Sequence, residues 1–240
     1  MSLVSFNPEE FISRALVNEE PQCVVEALMQ KGFTQYEAWD SVIEIGKRPI
    51  ILSECPSIIL YPQFVSDSEC EELIRLARYN LTDSLTYDVA EDGVDGGNRQ
   101  YRNSQSCRVC EPSVIPLALR IGALLDIPRL RMESYEVVKY TAGGFFGDHY
   151  DWYDSSPGGK RQLGATGNRV ATAIMYLNTP DGGSTYFPNL DITVRATKGS
   201  MLVFKYPNCE ESTLHRGCDV LSGDKWVATK FVRTYDFEAS

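Results

Sequence analysis

The chain holds only two histidines, and both stand where a metal could use them. His149 lies in Gly147-Asp148-His149-Tyr150-Asp151, and His215 lies in Leu214-His215-Arg216-Gly217. In extended backbone, residues i and i+2 point to one face about 6.6 Å apart, so His149 and Asp151 can address one ion. A histidine brought in from a remote strand would complete two imidazoles and one carboxylate on one side of it. That donor set, with the opposite positions open, suits a ferrous ion that must also admit a substrate and O2. Two histidines exclude a three-histidine zinc site within the chain. Cys107-Arg108-Val109-Cys110 has the spacing of half a zinc site, but no second pair follows. On a strand these two thiols would face opposite sides at about 10 Å, too far for a disulfide.

The elements that must position these residues follow from pattern. Residues 1 to about 48 repeat apolar side chains at helical spacing, with Val24, Val25, Leu28 and Met29 followed by Phe33, Ala38, Val42 and Ile45. Residues 58–64 form a predicted strand. Ser66 and Glu69 then form a capping box ahead of a helix through Leu73 and Ala77, and a second helix is expected over 116–125. Segments rich in β-branched and aromatic residues cover 134–140, 169–177, 184–187, 192–196, 200–206 and 225–235. Turn chemistry separates them, including Ala142-Gly143-Gly144, Ser156-Pro157-Gly158-Gly159 and Pro180-Asp181-Gly182-Gly183. Short strands at this density predict a jelly roll or related barrel. The glycine-containing loops at 91–100 and 153–168 are expected to cover the site.

Composition bounds the rest. With 240 residues, 43% apolar and 23% charged, the chain predicts a globular protein of one large domain with an appendage. We expect an N-terminal helical segment at 1–54, serving as a cover or as an interaction module. The remaining domain is expected at 55–240, with its barrel core at about 130–236. No apolar run reaches the ~20 residues that span a bilayer, and a net charge of -10 does not suit a nucleic-acid backbone or anionic membrane as partner. The first residues lack a basic then apolar leader, so the expectation is a cytoplasmic protein with its seven cysteines as free thiols.

Lys225 stands ten residues after His215, in Ser222-Gly223-Asp224-Lys225-Trp226-Val227-Ala228-Thr229-Lys230. This spacing resembles the C-terminal motif of the prolyl 4-hydroxylase family of Fe(II)- and 2-oxoglutarate-dependent dioxygenases. The resemblance covers roughly residues 58 to 235. Its further motifs are the helix from Phe64, Arg102-Asn103-Ser104-Gln105-Ser106, the strand Arg169 to Asn178, Gly182-Gly183-Ser184-Thr185-Tyr186-Phe187-Pro188, and Lys198 to Phe204. It implies a mainly β chain with flanking helices (α+β) around a double-stranded β-helix, a distorted jelly roll. It further implies that His149, Asp151 and His215 bind Fe(II), and that Lys225 receives the C5 carboxylate of 2-oxoglutarate with Tyr140 in support. Thr185 would line the same pocket and Arg169 would hold a peptide. The resemblance likewise implies O2 as the oxidant and ascorbate as the accompanying reductant.

The departures fall on the substrate side. A tyrosine usual in the family three residues before the first iron ligand is Phe146 here, and a tryptophan and a histidine near the C-terminus are Phe231 and Arg233. The retained Asp151 points to hydroxylation, since halogenases of this broad fold put a small residue there. The expected activity is hydroxylation of a peptidyl proline, at C4, in a proline-containing protein or peptide, with release of succinate and CO2. The same chemistry on a free amino acid, a small metabolite or another side chain is the alternative. A noncatalytic binding module is the reading from another class.

Overall fold

A computed structural model of the chain describes residues 6–19, 21–85 and 100–237. Among the described residues the helices are α1 (Pro8–Ala15), α2 (Pro21–Gln30), α3 (Gln35–Ile45), α4 (Asp67–Ala77), α5 (Ile115–Leu125) and α6 (Pro157–Leu163). The strands are β1 (Ile50–Ser53), β2 (Ile58–Tyr61), β3 (Thr82–Asp83), β4 (Arg102–Asn103), β5 (Gln105–Val109), β6 (Tyr135–Tyr140), β7 (Phe145–His149), β8 (Arg169–Tyr176), β9 (Asp181–Gly182), β10 (Thr185–Phe187), β11 (Ile192–Val194), β12 (Met201–Lys205), β13 (His215–Gly217), β14 (Val220–Ser222) and β15 (Lys225–Arg233). None of the described helices is long and apolar enough to cross a membrane.

An antiparallel sheet in the order β1-β2-β12-β8-β15-β6-β5-β3 faces a smaller one in the order β11-β10-β13-β7-β4. The larger sheet is buried on both faces, which is why β8 and β12 read as nearly unbroken apolar runs. On β12, Met201 and Val203 pack with Leu73 and Ala77 of α4 and Leu117 and Ile121 of α5. Leu202 and Phe204, at the alternate positions, pack into the barrel with Tyr140, Tyr176 and Phe187. β15 divides in the same way. Lys225, Val227, Thr229 and Phe231 line the interior, while Ala228 and Val232 join the helix-facing core. A one-residue slip of β15 would exchange the two sets and remove the chemistry from the barrel.

The capping box forms as expected. Ser66 Oγ accepts from the Glu69 backbone N–H, and the Glu69 carboxylate accepts from that of Ser66. The sequence pattern left β1 unread, and the predicted strand over 58–64 stops at Tyr61. A larger difference concerns 153–168, expected as a covering loop, which contains α6. Ser156-Pro157 is a helix start here, with Ser156 as N-cap and proline at the first helical position. Gly158 and Gly159 are buried in α6, and a Cβ on Gly159 would stand 2.4 Å from the Asp154 carbonyl oxygen. Its glycine serves close packing. The other expected cover, 91–100, lies outside the described residues except for Gln100.

Helices α1 to α3 share a core of Ile12, Val24, Val25, Leu28, Ala38 and Val42. They join the barrel through Val17, which packs into the interior cluster and whose carbonyl accepts from the Arg195 N–H. All seven cysteines are free thiols.

Candidate active site

β7 and β13 are antiparallel neighbours, and their register sets His149 directly opposite His215. The imidazole centroids are 4.2 Å apart. β7 ends at His149, and the chain bends through Asp151. Asp151 Oδ1 lies 3.6 Å from His149 Nε2, and Oδ2 lies 3.7 Å from His215 Nε2. One donor atom from each of the three residues lies within 4.8 Å of the others.

The orientation of each donor has a cause. His149 Nδ1 sits 2.7 Å from the Gly147 carbonyl oxygen, and His215 Nδ1 sits 3.0 Å from that of Thr213. A carbonyl can only accept, so each Nδ1 carries the proton and each Nε2 presents a lone pair to the centre. Burial, then the facing His215, holds His149 well below the ordinary imidazole range, in the neutral form that binds metal. Asp151 Oδ2 accepts from Thr172 Oγ1 at 2.7 Å. With its single proton used there, Thr172 accepts from the Tyr206 hydroxyl at 2.5 Å. Phe146 stacks on the His149 ring at 3.6 Å and 13°, and the Arg102 guanidinium lies 4.4 Å from the Phe146 ring centroid.

The cavity beside these ligands has a volume of about 920 Å³. At one side of it, the sheet register pairs Lys225 with Tyr140. Lys225 is 3% exposed, and no ion pair among the described residues includes it. Its ammonium lies 5.1 Å from the Tyr140 ring centroid and 5.9 Å from that of Tyr176, and burial pushes its pKa down to about 8. Thr185 is buried beside it, its hydroxyl 2.8 Å from that of Tyr176. Gly183 has φ +66°, and a Cβ there would lie 2.9 Å from Lys225 Cδ.

Arg169 and Phe231 line the other side, the guanidinium 3.4 Å from the Phe231 ring centroid. Arg169 is no free surface arginine, because both oxygens of Glu133 accept from it, at 2.8 and 2.9 Å. Arg233 pairs with the same Glu133 and does not line the cavity. The pairing register shifts between Val232 and Arg233, setting Arg233 opposite Arg169, and such an irregularity re-aims the side chain that strict alternation would have turned inward. Burial alone would raise the Glu133 carboxyl, but Arg169 and Arg233 outweigh it and hold it below its ordinary value.

Thr172, Tyr206, Tyr176 and Glu133 went unnoticed in the sequence. Thr172 carried a signal, as a hydroxyl in the apolar run Val170-Ala171-Thr172-Ala173-Ile174, where a buried donor needs a partner. Glu133 carried none.

Two imidazoles and a carboxylate converging in a jelly roll define a non-haem iron oxygenase site. The donor chemistry fits Fe(II), and the buried, unpaired Lys225 fits a dianion held at its far end. Residues 135–233 match the 2OG-Fe(II) oxygenase superfamily. The chain is 31% identical to prolyl 4-hydroxylase 1 of Arabidopsis thaliana, over 80% of this chain and 74% of that protein. It is 35% identical to prolyl 4-hydroxylase subunit alpha-3 of Homo sapiens over 76% of its own length, and spans 35% of that subunit. Among solved structures, the viral collagen prolyl hydroxylase of Paramecium Bursaria Chlorella virus-1, in its 2OG complex, superposes with a TM-score of 0.57 at 25% identity, covering 73% of this chain and 95% of that one. The chain belongs to the prolyl 4-hydroxylase family of 2OG-Fe(II) oxygenases.

Proposed function

We propose that the protein is an Fe(II)- and 2-oxoglutarate-dependent dioxygenase that hydroxylates a peptidyl proline at C4. The observation that carries this is the pairing, across one cavity, of a converging His149, Asp151 and His215 with a buried cation, Lys225, that has no carboxylate partner among the described residues. His149, Asp151 and His215 would hold the iron on one face, and bound iron with 2-oxoglutarate supplies the oxidising power that puts one atom of O2 into a C–H bond. Peptidyl proline, 2-oxoglutarate and O2 become hydroxyproline, succinate and CO2. Lys225 receives the C5 carboxylate, Tyr140 flanks it, and Thr185 with Tyr176 closes that end. Phe146 and Phe231 offer apolar walls for a pyrrolidine ring, and Arg169, held by Glu133, offers a donor to a peptide carbonyl. Ascorbate is the proposed reductant that keeps the iron ferrous, and the cytoplasm is the proposed setting.

The cavity of about 920 Å³ spans both the Lys225 end and the Arg169–Phe231 end, leaving room for a substrate beside 2-oxoglutarate. The test is mass spectrometry of proline-rich peptides and of free proline after incubation with the protein, Fe(II), 2-oxoglutarate and ascorbate. We expect a +16 product on peptides, and its absence from every peptide would remove the prolyl assignment.

A further inference from the structure

Arg233 is 7% exposed, yet none of it faces the cavity. Its Nε donates to Glu133 Oε1 at 2.7 Å, and its Nη1 donates to the carbonyl oxygens of Gln162 at 3.0 Å and Gly167 at 2.8 Å. The same Glu133 oxygen accepts from Arg169 Nε. One guanidinium therefore joins the carboxylate that aims Arg169 to the end of α6 and to the turn that leads back into β8. The seam continues along the chain: Thr234 donates through its N–H and its hydroxyl to the Asn168 carbonyl, and the Tyr235 N–H donates to that of Thr166. Asn168 in turn brackets Tyr153, accepting from its N–H at 2.9 Å and donating to its carbonyl at 2.8 Å. The Tyr153 ring lies 4.8 Å from the Arg169 guanidinium and 5.1 Å from that of Arg233. Tyr153, Asp154 and Gln162 line the cavity.

We infer that Arg233 is a positioning residue: it locks the wall formed by residues 153–168 and the direction of Arg169 into one unit before a peptide arrives. This rests on the peptide-hydroxylase function proposed above and names how its substrate side is built. A planar guanidinium can serve a carboxylate and two carbonyls at once in fixed directions, whereas an ammonium is a point charge on a flexible stem. Lysine at 233 keeps the pairing with Glu133 and loses the fixed link to α6. Misplacing a positioning wall is expensive, because small displacements of a substrate-orienting group cost large factors in turnover.

The test uses the full chain with Arg233→Lys and Arg233→Gln. Lys160 and Arg161 place trypsin sites on α6 itself, so cleavage after them reports on the wall without any catalysis. We expect cleavage there to rise about tenfold or more in both variants, and the peptide KM to rise about tenfold, while the 2-oxoglutarate KM stays within about twofold. Succinate should exceed hydroxylated peptide in the variants, and Arg233→Lys should keep a Tm close to that of the wild type. Unchanged cleavage, or an unchanged peptide KM beside an active wild type, would overturn the role of Arg233 alone. A loss in Arg233→Lys that follows Tm and strikes both KM values alike would also overturn it, making the residue merely structural. A wild type that hydroxylates no peptide overturns the prolyl assignment instead, and cleavage at α6 still decides whether Arg233 holds the wall.

Discussion

Burying an ammonium without a carboxylate partner costs several kcal/mol, and Lys225, with none among the described residues, is buried near two tyrosine rings. The cost shows as a pKa pushed down to about 8, against an ordinary lysine near 10.4. Between these values the unfolded chain binds more protons than the folded one. The burden on stability is thus full below pH 8 and eases as pH rises toward about 10.4. Binding of a carboxylate has the opposite dependence, since it needs the ammonium. Affinity for 2-oxoglutarate should therefore fall as pH rises above about 8, by up to about tenfold per unit. Anaerobic calorimetry with the metal-loaded protein checks this. Lys225→Arg, which stays charged, should give a flat profile over the same range, and a flat wild-type profile would contradict the account.

Thr172 makes a second prediction at the same scale. Thr172→Val removes the donor to Asp151 and leaves the Tyr206 hydroxyl buried without its acceptor. Metal affinity should weaken by about 10- to 100-fold, as is usual when the group orienting a ligand is lost. A titration with Fe(II) or Co(II) measures it, and unchanged affinity would show that Asp151 needs no orienting partner. The ligands themselves were legible in the sequence, because two histidines leave few choices and His149 with Asp151 shares a motif. Their supports were not. Thr172 acts through a carboxylate distant in sequence, and Glu133 becomes meaningful only once β8 and β15 bring two arginines to it.

Among the elements, the long apolar strands β6, β8, β12 and β15 were legible, whereas β1, β7, β13 and the irregularities of register were not. Alternation along β15 placed Lys225 and Phe231 on the cavity face, as period 2 requires. It would have placed Arg233 there too, and the register shift after Val232 changed that. Likewise Asp151 belongs to a bend beyond β7, which the spacing of His149 and Asp151 did not reveal. Ser156-Pro157-Gly158-Gly159 suits a turn and a capped helix equally well in sequence, and the buried packing of Gly159 on Asp154 decides for the helix. The turn between β9 and β10 yields a prediction of its own. Gly183→Ala would set a methyl 2.9 Å from Lys225 Cδ in a left-handed backbone position. The 2-oxoglutarate KM should rise about tenfold or more, with metal affinity close to that of the wild type. Equal loss of both would mean that the turn supports the whole barrel rather than the lysine.

At the scale of the molecule, one arrangement explains why the chemistry survives at all. Helices α4 and α5 pack on the outer face of the larger sheet, and the interior cluster of Tyr176, Phe187, Phe204 and Tyr206 fills the space around His215. Two buried faces hold β6, β8 and β15 in register and so place Lys225 in the cavity, while the register of β7 with β13 brings His149 and His215 to it. The jelly roll was legible from the density of short strands and turns. The docking of α1 to α3 through Val17 was not, because apolar helix faces do not state what they cover. The central claim, that this cavity couples 2-oxoglutarate turnover to proline hydroxylation, is tested most directly by incubating the protein under 18O2 with a proline-rich peptide, Fe(II) and 2-oxoglutarate, then quantifying succinate and 4-hydroxyproline. We expect one labelled 4-hydroxyproline for each succinate, and neither product with His149→Ala or Asp151→Ala. Succinate formed without hydroxyproline on any peptide would contradict it.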